Sequence, residues 1–69
     1  METIRVMVDV AAQRATAVVA ATGEELGTVE EFAIDLRRTG LRIGGRWHWF
    51  RRDAVTFVLV GPDTEGNDA

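Results

Sequence analysis

The sequence predicts a small α+β domain in the order β-β-α-β-β-β, one helix packed on a mostly antiparallel sheet. Three observations carry that expectation. Residues 3–10 alternate strictly between apolar and polar positions. Thr28-Val29-Glu30-Glu31 opens an apolar stripe at helical spacing. Leu41-Arg42-Ile43 and Arg46-Trp47-His48-Trp49-Phe50-Arg51 flank a Gly44-Gly45 pair. At 69 residues the chain has room for one domain, placed at residues 1–62.

The first element is a strand. Ile4, Val6, Val8 and Val10 fall on one face, and Thr3, Arg5, Met7 and Asp9 on the other. A period of two among β-branched residues fits a half-buried strand. The next stretch, residues 11–21, is mixed. Its alanines favour helix, whereas Thr16, Val18 and Val19 favour strand. Because neighbouring elements usually pair, a strand from about Arg14 to Ala20, paired with the first, is the expectation.

A turn over Thr22–Gly27 leads to a predicted helix from 29 to 39. Thr28 and Glu31 have the spacing of a capping box. Val29, Phe32, Ala33 and Leu36 share one helical face. Glu30 and Glu31 would sit at the positive end of the helix dipole, Arg37 and Arg38 at the negative end. Gly40 suits the left-handed residue that closes a helix.

After it comes a very short strand at Leu41–Ile43. The Gly44-Gly45 pair supplies the positive φ angles of a two-residue hairpin turn. Arg52-Asp53 forms a second turn. The run Ala54–Val60 is apolar on both faces, which places it centrally in the sheet. Residues 63–69 are polar and acidic and read as a disordered tail.

Composition excludes much chemistry. The chain has no Cys, Ser, Tyr or Lys. It therefore lacks disulfides, thiolate metal sites, the common nucleophiles and a Schiff-base amine. His48 is the single imidazole, and no carboxylates stand at metal-ligand spacing around it. The glycines match no phosphate-binding loop. The expectation is no catalytic residue, no cofactor and no metal, hence a non-enzymatic protein. The opening residues lack the layout of a signal peptide and no run is long enough to span a bilayer, so a cytoplasmic location is expected.

Charge is the strongest functional signal. Residues 37–52 hold six Arg and no acid, while the whole chain carries −3. Trp47, His48, Trp49 and Phe50 are interleaved with those arginines. The expected binding residues are Arg42, Arg46, Trp47, His48, Trp49, Arg51 and Arg52. The first functional expectation is a small interaction or regulatory module that binds a protein partner, or a second copy of itself, through the hairpin at 41–52. The alternative is nucleic-acid binding, in which arginines track phosphates and aromatics stack on bases. The segment Arg42-Ile43-Gly44-Gly45-Arg46-Trp47, with Arg51-Arg52-Asp53, resembles the wing hairpin of excisionase-type helix-turn-helix proteins over about twelve residues. That resemblance implies contact with nucleic acid, although the preceding helix-turn-helix of such proteins has no counterpart here.

Finally, a chain this short buries only about 60% of its unfolded surface. An apolar run with a single helix to cover it predicts a homodimer that buries the remainder.

Overall fold

The computed structural model describes residues 2–60. Six strands are present: β1 (Ile4–Asp9), β2 (Arg14–Val19), β3 (Glu25–Ile34), β4 (Arg38–Ile43), β5 (Arg46–Arg51) and β6 (Val55–Val60). A single turn of 3₁₀ helix at Arg52–Ala54 joins the last two. The strand order is β5-β4-β3-β2-β1-β6. Pairing is antiparallel throughout except between β1 and β6, which run parallel.

The α+β expectation is therefore wrong: among the described residues there is no α-helix. The span expected to be helical forms most of β3, a tight turn, and the start of β4. An isolated helix of about eleven residues is marginal in water and needs tertiary packing to persist. The same residues gain more as a hairpin. Val29, Phe32, Ile34 and Thr39 have β-branched or aromatic side chains that suit strands. Asp35 supplies the turn. Its Oδ1 accepts the backbone N–H groups of Arg37 and Arg38, at 2.8 and 2.9 Å. Its own N–H donates to the Arg38 carbonyl at 3.0 Å. Thr28 is an exposed strand residue rather than a cap, and Gly40 lies within β4 without a positive φ.

Other expectations fared better. β1 carries Ile4 and Val6 fully buried, as its alternation requires. Residues 14–19 form a strand antiparallel to β1, with Ile4 opposite Val19 and Val6 opposite Ala17. The turn between them lacks glycine and puts Gln13 at φ 55. Gly44 and Gly45 close the β4–β5 hairpin at φ 61 and 79. The short strand at 41–43 proves to be six residues long. The run 54–60 does form a strand, but β6 lies at an edge of the sheet and not at its centre. The acidic tail at 63–69 lies outside the described residues.

The sheet is strongly curled. β5 and β6 are its two outermost strands, separated by five strand spacings or about 24 Å if the sheet were flat. The chain from Arg51 to Val55 spans four residue steps, at most about 14 Å when fully extended. A flat sheet is thus impossible, and the two edges converge at the 3₁₀ turn. One contact spans the curl: the rings of Phe32 on β3 and Phe57 on β6 lie 5.5 Å apart. The Arg52 N–H donates to the Arg37 carbonyl at 2.9 Å and so carries the β4–β5 ladder into the 3₁₀ turn.

Curling gives the sheet a core without a second layer. Ile4, Val6, Ala17, Val19, Val29 and Leu41 form the buried cluster, with Val8, Ala15, Ile43, Phe50 and Val55 packed around it. All six strands contribute to one inner face. Register irregularities at Ala17/Val18 and Val29/Glu31 accentuate the bend on either side of Val29. Gly27 sits beside the first of them at φ 139, and a Cβ there would lie 2.7 Å from Ile43 Cγ2. A side chain is therefore excluded where the curl brings these strands together.

Candidate interaction surface

The alternation of β4 and β5 sorts the expected binding residues onto two faces. In register, Arg38 lies opposite Arg51, Gly40 opposite Trp49, and Arg42 opposite Trp47. These six positions form the outer, solvent-facing side of the hairpin. Thr39, Leu41 and Ile43 pair with Phe50, His48 and Arg46 on the inner side. Phe50 packs on the core, whereas Arg46 and His48 are exposed beyond it. Arg52 belongs to the 3₁₀ turn, at a shallow cleft lined also by Leu36, Arg37, Arg51 and Asp53.

The outer side holds an aromatic platform. Gly40 has no side chain, so the Trp49 ring lies directly over its backbone. A Cβ at position 40 would stand 2.7 to 2.9 Å from three ring carbons. Trp47 stacks beside Trp49, with ring centroids 5.7 Å apart and planes 19° from parallel. The Arg38 guanidinium carbon sits 4.2 Å from the Trp49 ring centroid, within cation–π range. Both indoles remain substantially exposed, at 40% for Trp47 and 45% for Trp49.

Sequence alone presents this region as an acid-free block of arginines. Folding brings acids to it from neighbouring segments. Arg42 Nε lies 3.2 Å from Glu30 Oε1, and Arg42 Nη1 lies 3.1 Å from Glu31 Oε1. Glu30 Oε1 also accepts the Gly45 N–H at 3.1 Å, which ties the hairpin turn to β3. Arg38 pairs with Asp35 at 3.6 Å, and Arg51 with Asp53 at 3.3 Å. Arg37, Arg46 and Arg52 make no ion pair among the described residues. The two N–H bonds from Arg37 and then Arg38, with the Arg38 charge adding to them, hold the Asp35 carboxyl below its ordinary range.

Four participants are not legible as such in the sequence. Glu30 and Glu31 have the spacing of a helix cap, Arg38 that of a charge at a helix C-terminus, and Gly40 that of a helix terminator. With a hairpin in place of the helix, Gly40 and Arg38 lie against Trp49, and Glu30 and Glu31 pair with Arg42 beside the platform. The one signal available beforehand was Asp35 two residues before Arg37, a turn-forming spacing.

The described residues contain no cluster of three His, Asp or Glu side chains able to hold a metal ion, and no helix long and apolar enough to cross a membrane. No protein-family model matches the chain, and neither a curated protein nor a solved structure resembles it significantly.

Proposed function

We propose that this protein is a non-enzymatic interaction module that docks a protein partner on the outer side of the β4–β5 hairpin. The stacked Trp47–Trp49 pair, exposed yet held flat by Gly40 and Arg38, carries the reading. Tryptophan and arginine dominate the energetics of protein interfaces, because large rigid surfaces bury much area at little entropic cost. Here the rings are ordered before any partner arrives, so little ordering cost remains to be met on binding. Arg42, Arg51 and Arg38 surround the platform, each paired with an acid, and form a mixed-charge rim suited to a polar protein surface.

That pairing also separates this reading from nucleic-acid binding. An arginine that neutralises a phosphate displaces counterions from the nucleic acid, and one held by a carboxylate must first give up that pair. Three of the six arginines in 37–52 already face carboxylates. Among the described residues Arg37, Arg46 and Arg52 have no acidic partner, and they support the nucleic-acid alternative.

The two tryptophans are the chain's only ones, so their emission reports on this platform alone. Titration with peptides selected from a displayed library should change that emission, and Trp49→Ala should abolish the binding while Arg5→Ala leaves it intact. Single- and double-stranded oligonucleotides should produce no salt-dependent change. Steep salt-dependent oligonucleotide binding, with no peptide selected, would replace the protein reading by the nucleic-acid one.

A further inference from the structure

Among the described residues the curled sheet keeps two unpaired edges, and they differ in character. We infer that the β6 edge pairs with the β6 edge of a second copy of this chain, extending the sheet antiparallel across a two-fold axis.

Exposed strand edges invite pairing, and proteins ordinarily protect them with charges, proline or bulges. β6 has none of these. Its residues, Val55-Thr56-Phe57-Val58-Leu59-Val60, are uncharged throughout, and β1 is its sole strand neighbour among the described residues. Its apolar side chains are incompletely covered within one copy. Leu59 is 76% exposed, Val60 39% and Phe57 38%.

Charge selects a second copy as the occupant. A two-fold axis normal to the sheet places equivalent faces together, so the central residue must lie opposite itself. Centred on Val58, the pairs are Thr56–Val60, Phe57–Leu59 and Val58–Val58. Centred on Phe57, they are Val55–Leu59, Thr56–Val58 and Phe57–Phe57. Neither arrangement opposes charges, and both join apolar residues that one copy leaves exposed. The β5 edge behaves oppositely. Two copies meeting there would bring together Arg46, Arg51 and Arg52 from each, and Asp53, which pairs with Arg51, is the sole acid in residues 46–53. Mutual repulsion disfavours that contact. Each copy thus offers one self-complementary edge, and association closes at two copies instead of propagating into a filament. The resulting dimer would carry its tryptophan platforms on separate β5 hairpins, making it bivalent. The inference does not depend on what those platforms bind.

Sedimentation equilibrium of the full chain at micromolar concentration should report about twice the 7.6 kDa chain mass. Val58→Lys should return the monomer mass with unchanged circular dichroism, because a lysine lies within either register and opposes edge pairing. The chain contains no cysteine, so an introduced one can form only an intermolecular disulfide. Under mild oxidation, Val58→Cys or Phe57→Cys should yield a covalent dimer, the faster of the two identifying the register. Thr16→Cys, in the middle of the sheet, should remain monomeric under denaturing electrophoresis. A parent that sediments as a monomer overturns the inference. So does a dimer that cross-links at neither position 57 nor position 58, whether or not Val58→Lys folds.

Discussion

Gly40→Ala isolates the platform from the rest of the fold. The new methyl carbon would lie 2.7 to 2.9 Å from the Trp49 ring. Carbon atoms pack best at about 3.5–4.0 Å, so the ring must lift by roughly 1 Å. It is free to do so because it is half exposed, and the backbone is unstrained because Gly40 has no positive φ. Lifting the ring weakens its contact with Arg38, worth about 0.5–1 kcal/mol at an exposed site. It also disturbs the stack with Trp47, worth about 0.5–1.5 kcal/mol. Alanine in a strand returns about 0.5–1 kcal/mol relative to glycine. The net change in stability is therefore a loss of between about 0 and 2 kcal/mol, at most roughly 16 °C in melting midpoint for a domain of this size. The platform geometry, by contrast, is lost. In the parent, NMR should show the Gly40 Hα protons shifted upfield by the indole above them, with cross-relaxation between the two indoles. In Gly40→Ala the inter-ring cross-peaks should vanish while β4 and β5 amide shifts elsewhere persist. Intact inter-ring cross-peaks, or an unfolded protein, would refute this account of what holds Trp49 in place.

Three more outcomes follow from the core, the bend and the turn. Leu41→Ala removes a fully buried side chain at the centre of the inner face, and should cost about 2–5 kcal/mol in urea denaturation. Against a total of roughly 3–10 kcal/mol for a chain this short, partial unfolding at room temperature is expected. Gly27→Ala combines a φ of 139 with a 2.7 Å approach to Ile43 Cγ2, and should destabilise by about 1–3 kcal/mol, read from the same denaturation curve. The Asp35 carboxyl titrates below 3.8 because Arg37 and Arg38 donate backbone N–H bonds to its charged form. Its contribution to stability is therefore complete above the unfolded pKa and is lost as pH falls through the lower folded value. Carbon-detected titration should place its midpoint below 3.8, and Asp35→Ala should flatten the stability profile in that acid range. A midpoint at or above 3.8 would contradict the turn geometry.

Local pattern was a sound guide where a strand's two faces had different fates. Ile4, Val6 and Val8 alternate with Arg5 and Met7, and a one-residue slip would have turned the whole apolar set outward. The Gly44-Gly45 hairpin was equally legible, because two consecutive positive φ angles select glycine. The interleaved Arg and Trp residues lie on the hairpin that carries the aromatic platform.

What the sequence by itself determined, then, was the strand character of residues 4–9, 46–51 and 55–60, the tight turn at Gly44-Gly45, and the absence of thiol, serine and lysine chemistry. Tertiary structure alone decided the rest. Residues 28–39 satisfy the local rules for a helix, but their alternative partners, β2 and the far half of β4, lie at sequence separations that no local rule weighs. Pairing with both sides supplies backbone hydrogen bonds and apolar burial that a short isolated helix cannot match. The same long-range pairing moved β6 from the centre to the edge, since its partner β1 lies some fifty residues earlier in the chain. It also delivered Glu30 and Glu31 to Arg42, an arginine whose own stretch of sequence is acid-free. Charge in a folded protein is set by three-dimensional neighbours, and those are known only once the sheet has closed.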